Sequence, residues 1–332
     1  MSSIGTLLLG LGIILISAEL FTNSIEWLGR RLKLSEGAVG SILAAVGTAL
    51  PETLVPIIAI GVSPSQATTE IGVGAILGAP FMLSTLALFV TGMAALIFAF
   101  FGKRRATMMI DECVVKRDLR FFLIVYSIAI LAALLNRHEY KLILAAGLVC
   151  AYAVYAYRTI TGGKCIAGEA PNSLLISRAA LLPRFRFILL QVFLAVAGII
   201  GGAELFVHAM EKIAMSMKIS PFILSVIITP IATELPEKFN SVIWVSRGKD
   251  TLAMGNITGA MVFQSSIIPA IGMLMTPWVL NRAAFTCALV ALSSAAFIFV
   301  FLSVKGYLRA YTLLSGGVFY VLFLYMVLGN QL

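Results

Sequence analysis

Residues 18–52, AELFTNSIEWLGRRLKLSEGAVGSILAAVGTALPE, and residues 203–237, AELFVHAMEKIAMSMKISPFILSVIITPIATELPE, read as two copies of one segment. They align without a gap at a constant offset of 185 and share 12 identities in 35 positions. Ala18-Glu19-Leu20-Phe21 matches Ala203-Glu204-Leu205-Phe206, and Leu50-Pro51-Glu52 matches Leu235-Pro236-Glu237. Between them Glu26 pairs with Glu211, Lys33 with Lys218, Ser35 with Ser220 and Thr48 with Thr233. After a shift of four residues, Gly74-x-x-x-Gly78-Ala79 matches Gly255-x-x-x-Gly259-Ala260.

The chain around these copies is too apolar for water. Of its 332 residues 60% are hydrophobic and 12% charged, with mean hydropathy +1.03; a soluble domain has roughly 45–50% apolar and about 25% charged residues. So little charge cannot cover a soluble core, which excludes a soluble enzyme, a nucleic-acid module and a disordered chain. The lipid bilayer is therefore the first partner. The net charge of +9 reads as basic cytoplasmic loops and not as a nucleic-acid footprint. Cys113, Cys150, Cys165 and Cys287 show no C-x-x-C spacing, and the two histidines, His138 and His208, fall near span ends. Neither a zinc site nor a disulfide framework follows from them.

Apolar runs long enough to cross a bilayer as helices cover residues 4–21, 37–61, 71–101, 119–136 and 141–159, then 187–207, 219–246, 251–276, 283–304 and 310–328. Continuous runs without strict alternation exclude a β-barrel. The expected fold is an all-α integral membrane protein with ten transmembrane helices. A first five-helix repeat occupies 1–159, a more polar cytoplasmic linker 160–186, and a second repeat 187–332. Five is odd, so the second copy runs inverted, an architecture of secondary transporters with sites near the bilayer midplane. Lys and Arg divide 18 to 5 between the two sides, with Lys238 inside a span. This puts the basic side in the cytoplasm and both termini outside a cytoplasmic (inner) cell membrane. The first run lacks a basic n-region and an A-x-A site, so it is expected to be a retained helix.

Spans 37–61 and 219–246 are broken by Pro51, Pro56, Pro221, Pro230 and Pro236. A proline within a span frees a backbone carbonyl, which is tolerated only against protein or a wet cavity. Three carboxylates sit deep in these spans, Glu52, Glu234 and Glu237. Each costs at least about 2.5–3.5 kcal/mol at mid-bilayer and is a functional candidate. Glu52 and Glu237 hold equivalent repeat positions directly after a helix-breaking proline, and inverted symmetry brings them together. With the hydroxyls of Thr48 and Thr233 they form an oxygen-only cluster suited to a hard cation such as calcium, which takes six to eight oxygens. Copper and zinc are disfavoured. Three readings of Glu234 stay open. It shares a proton with Glu237 three residues on, it pairs with Lys238 at i, i+4, or Lys238 projects into the site as a tethered cation. The small-x-x-x-small pairs point first to close helix packing.

Gly47-Thr48-Ala49-Leu50-Pro51-Glu52 and Ala232-Thr233-Glu234-Leu235-Pro236-Glu237 resemble the paired G-T-S-x-P-E signatures of the calcium/cation antiporter superfamily, which includes the sodium/calcium exchangers. The Gly74-to-Leu83 and Gly255-to-Gln264 segments resemble that family's G-N-x-x-G-S-N-x-x-[ND] elements. The resemblance covers essentially the whole chain. It implies a secondary-active antiporter, not an enzyme, that exports calcium or a similar divalent cation by alternating access in exchange for sodium or protons. It implies Glu52 and Glu237 as calcium carboxylates, Thr48 and Thr233 as neighbouring oxygens, and position 264 as a counter-ion ligand. Inorganic cations are then the substrates, no cofactor is implied, and a monomer is sufficient. Ala49, Ala75, Ala79 and Leu83 replace polar positions of the motif in the first repeat. The second repeat keeps Asn256 and has Glu234, Ala260 and Gln264. Most sodium-type ligands of the first repeat are thus missing, while Glu234 favours protons. The alternatives from the residues are a proton-coupled exchanger of magnesium or manganese, or a channel or uniporter using the same carboxylates. No H-E-x-x-H or G-x-S-x-G with a partnered His supports an intramembrane enzyme.

Overall fold

The structure, a computed structural model, describes residues 3–31, 49–62, 65–162 and 185–329. Thr48 and most of the expected linker lie outside these, as do the side chains of Glu237 and Lys238. The described residues are nearly all helical, and seven helices among them are long and apolar enough to cross a membrane.

Helix α1 (Ser3–Arg31) is followed by α2 (Leu50–Gly61), the described part of the second expected span. Next come α3 (Gln66–Met82), a π segment (Leu83–Ala87) and α4 (Leu88–Phe100), which together form one long span. The start of α3 at Gln66, earlier than hydropathy suggests, is fixed by a capping box in which Ser65 and Thr68 exchange side-chain-to-backbone hydrogen bonds. Helices α5 (Glu112–Leu131) and α6 (His138–Gly162) complete the first half. The second half has α7 (Phe185–Met217), the interrupted pair α8 (Pro221–Thr233) and α9 (Leu235–Ser246), then α10 (Asp250–Met275) and α11 (Arg282–Lys305). It ends with α12 (Ala310–Leu313) and α13 (Ser315–Leu328). The one departure from all-α among the described residues is a two-residue antiparallel pairing of β1 (Thr107–Met108) with β2 (Leu308–Arg309).

At 29 and 33 residues, α1 and α7 are roughly 44 and 50 Å long at 1.5 Å per residue. Both exceed the hydrocarbon thickness of about 30 Å and must tilt or project beyond it. They lie antiparallel. Gly10 meets Gly202 and Phe206, Ser17 meets Gly198, Gln191 Nε2 donates to Leu20 O and Asn23 Oδ1, and Trp27 packs on Ile188.

A second close crossing seats α8 on α3. A Cβ on Gly74 would stand 2.7 Å from Phe222 O, and one on Gly78 2.8 Å from Val226 O. Ser225 Oγ then reaches across to donate to Ile71 O at 2.7 Å. The expected packing role therefore holds for Gly74 and Gly78 but not for Gly255 and Gly259, where a Cβ would meet no described atom within 4 Å.

The loops that the charge count assigns to one side do meet at one end. Arg104 makes a bidentate ion pair with Asp250 at 2.6 Å and donates to Val245 O, while Asp250 also accepts from Met109 N. At the opposite end buried Lys141 donates to Pro277 O at 2.7 Å and Trp278 O at 3.2 Å. This holds the turn in which Trp278 adopts φ 49°.

Gly74→Val forces a side chain into the α8 backbone. The expected loss is about 1–3 kcal/mol, read as a lower thermal-unfolding midpoint in detergent, whereas Gly147→Ala, exposed in mid-helix and with open space around its Cα, leaves the midpoint unchanged or raises it.

Candidate functional site

Two helices begin with the same triplet. Leu50-Pro51-Glu52 opens α2 and Leu235-Pro236-Glu237 opens α9. Proline is accepted in a first helical turn because the N–H it lacks has no helical partner there. Each glutamate, third in its helix, stands at the positive end of the helix dipole, which favours a carboxylate. Pro51 and Glu52 are both buried, Glu52 being 6% exposed. Pro56 inside α2 has no N–H to offer the Glu52 carbonyl.

In the second half the break falls at Glu234, between Thr233 at the end of α8 and Leu235 at the start of α9. The Glu234 N–H still bonds Pro230 O at 2.9 Å, so the path bends without losing its last α8 turn. Glu234 is 1% exposed and Thr233 2%. The Thr233 hydroxyl donates to Thr229 O at 3.1 Å, which leaves its lone pairs for a cation or a proton donor.

The structure brings Gln264 of α10 onto Glu234. Gln264, 4% exposed, donates from Nε2 to Glu234 Oε1, while its own Oε1 has no hydrogen-bond partner among the described residues. A carboxylate, an amide oxygen and a threonine hydroxyl therefore collect at the α8/α9 break. Helix α2, which carries Glu52, packs against α3 and α7 and also touches α8 and α10. Among the described residues no three carboxylate, histidine or cysteine side chains converge as metal ligands. A cation held here accordingly draws on hydroxyl, amide and main-chain oxygens as well, the donor set of a hard ion.

Sequence reasoning passed over two buried carboxylates, Asp118 and Asp250. Asp118 lies in a basic stretch between two apolar runs, and Asp250 directly follows Lys249. A signal for Asp118 was present. It falls in phase with Val115, Leu119 and Phe122, all buried on one face of α5, and Asp111 caps that helix by accepting from Cys113 N and Val114 N. No comparable pattern marks Lys141 or Gln191, whose buried partners lie more than 130 residues away.

A family described as sodium/calcium exchanger protein matches residues 2–161 and 187–330. The putative antiporter CaxA of Alkalimonas amylolytica is 26% identical over 283 residues, covering 83% of this chain and 82% of that protein. The inner membrane protein YrbG of Escherichia coli is 24% identical over 290 residues, covering 84% and 82%. Among solved structures, the H+/Ca2+ exchanger CAX superposes with a TM-score of 0.77 at 16% identity, covering 97% of this chain and 81% of that one. The sodium-calcium exchanger NCX_Mj superposes with a TM-score of 0.57 at 20% identity, covering 96% of each. These likenesses extend to the fold of nearly the whole chain.

Gln264→Leu removes the amide that meets a buried carboxylate, and a hydrogen bond to a charged group contributes about 1.5–3 kcal/mol. A clear drop in the thermal midpoint is expected. Tyr126→Phe deletes a buried hydroxyl with no hydrogen-bond partner among the described residues and should leave the midpoint unchanged or higher.

Proposed function

The chain belongs to the sodium/calcium exchanger family, and from that premise we propose that it is a secondary-active antiporter exporting calcium in exchange for protons. In this reading ten spans form two inverted five-helix repeats, residues 1–159 and 187–332, joined by a cytoplasmic linker at 160–186. Both termini lie outside. Glu52 and Glu237 supply the carboxylates for calcium, Thr48 and Thr233 add hydroxyl oxygens, Glu234 with Glu237 forms the proton-carrying pair, and Gln264 holds Glu234 through its amide.

Three observations support the layout. The Leu-Pro-Glu triplets start helices at equivalent positions of the two copies. The antiparallel crossing of α1 and α7 runs through equivalent residues, since Ile14 and Ile199, 185 apart, are both fully buried beside it. Loops of like charge meet at one end through Arg104 and Asp250.

The observation that carries the counter-ion is Glu234, a carboxylate at a helix break buried against a neutral amide. Bringing a second negative charge close to Glu237 in a low dielectric favours one shared proton over two ionised groups. Calcium binding expels that proton, and reprotonation releases calcium, which is the thermodynamic linkage an antiporter needs. Leu83, at the position equivalent to Gln264, is fully buried and apolar, so the first half offers no matching polar ligand for sodium there.

The test uses purified protein in sealed vesicles and radioactive calcium. Uptake should follow an outward proton gradient and saturate with calcium. Glu52→Gln should weaken calcium affinity by roughly tenfold or more, the effect of losing about 1.4 kcal/mol. Glu234→Gln should leave calcium exchange but uncouple it from the proton gradient. Uptake driven only by an outward sodium gradient would overturn the proton assignment. Absence of uptake under both gradients, in folded protein, would overturn calcium and leave magnesium and manganese to be tried.

A further inference from the structure

Asp118 is a buried carboxylate, 2% exposed, on which three helices converge. Its Oδ1 accepts from Arg117 Nε at 3.0 Å and Nη2 at 2.9 Å, and from the Tyr155 hydroxyl of α6 at 2.8 Å. Its Oδ2 accepts from the Thr258 hydroxyl of α10 at 2.9 Å. Arg117 is half-exposed and lies over the Tyr155 ring, 5.1 Å from its centroid, so it screens the charge while its tip reaches solvent. Four donors hold Asp118, three on Oδ1 and one on Oδ2, which makes it a fixed anchor and a poor choice for a transported ion.

That anchor holds the helix carrying Gln264. Thr258 and Gln264 are six residues apart, about 9 Å along α10 and about 120° around it. One faces Asp118 between α5 and α6, and the other faces Glu234 at the α8/α9 break. Two side-chain contacts on different faces determine both the rotation and the height of a helix. A second tie lies next to Gln264. Phe263 packs edge-on against Tyr152, centroids 5.4 Å apart, and Tyr152 stacks on Tyr155 at 6.5 Å. Thus α6 connects the Asp118 cluster to the turn of α10 that bears the amide.

We propose that Asp118, acting through Thr258, is a positioning residue for the exchange site, setting the rotation of α10 so that Gln264 reaches Glu234. The inference rests on the exchange reading above for its kinetic consequence and on geometry alone for its structural one. Loss of the Thr258 hydroxyl releases one side of α10, the Gln264 amide withdraws from Glu234, and calcium binding weakens while the turnover of bound calcium is little altered.

Thr258→Val, which removes one hydroxyl and keeps the side-chain shape, is compared with Thr258→Ser, Gln264→Leu and the double variant Thr258→Val/Gln264→Leu in calcium-loaded vesicle assays. Thr258→Val is expected to raise KM for calcium roughly fivefold, the scale of one buried hydrogen bond, with the maximal rate within about twofold. Thr258→Ser restores the wild-type KM. In the Gln264→Leu background the same Thr258→Val change adds less than about twofold, because coupled residues are not additive. Equal effects in the two backgrounds, or a lowered thermal midpoint with KM unchanged, would overturn the proposal. A solved structure of Thr258→Val separates this inference from the exchange reading. Should wild-type protein transport no calcium, the exchange reading fails, yet Gln264 must still leave Glu234 in that structure; an intact Gln264–Glu234 hydrogen bond sinks the positioning role under any function.

Discussion

A carboxylate placed deep in an apolar chain has few tolerable positions, and most of this structure follows from that restriction. Burial penalises the ionised form unless dipoles and hydrogen-bond donors replace water. The start of a helix supplies both, and in Leu50-Pro51-Glu52 and Leu235-Pro236-Glu237 each glutamate stands beside a proline in the first turn of its helix. A broken helix is in turn admissible only where neighbours cover its exposed backbone. The glycine face of α3 answers that need, because Gly74 and Gly78 let the α8 backbone approach within contact of Cα atoms. Close packing and buried charge are thus one requirement expressed at two places in the sequence.

The two halves meet this requirement differently. In the second, Glu234 and Gln264 put a carboxylate and an amide at the break. In the first, the equivalent positions are Ala49 and Leu83, and the chain opens a π turn at Leu83–Ala87 where the α-helical ladder would continue. That turn is paired within the bundle. Ser294 Oγ donates to Ser84 O at 2.6 Å, and the hydroxyls of Ser84 and Thr85 donate to Phe81 O. The first half has therefore given this position to helix packing and the second has kept it polar. The two copies of the segment thus differ at two positions in whether polar side chains stand there.

Much of this is legible in the amino-acid sequence, for physical reasons that differ between elements. Spans are visible because insertion into hydrocarbon selects on a sum over about twenty residues, and such sums tolerate local noise. The break at 234–236 is visible because proline has a single structural meaning within a span. Glu52 and Glu234 are visible because carboxylates are rare at that depth and expensive to keep there. The meeting of Gln264 with Glu234 is not legible as a contact, since a glutamine thirty residues along the chain gives no indication of which way its helix is rotated. Asp118 is hidden for the opposite reason. It follows Arg117 in a run of charges, and although its phase with Val115, Leu119 and Phe122 marks it as inward-facing, its partners, Tyr155 on α6 and Thr258 on α10, are visible only in the fold.

The kinds of contact divide the molecule mechanically. Helices α3 to α6 and α8 to α11 are joined by directional, buried bonds, from Arg104 to Asp250 and from Lys141 to the Pro277 and Trp278 carbonyls, with Asp118 and Thr258 between them. Such bonds fail if partners shift by an ångström, so they hold these helices in register. Helices α1 and α7 are tied to each other by glycine contacts and by Gln191 with Asn23. Toward the rest, α7 presents Phe206, Val207 and Met210 to Val55, Ile58, Ala59 and Ile71, with a Ser65–Glu211 hydrogen bond of 3.2 Å at the exposed rim. Apolar contacts have no preferred angle and lose little when one surface slides along another. A long helix pair lying on an apolar face, beside a core held by buried polar bonds, can shift against its neighbours without breaking a buried directional contact.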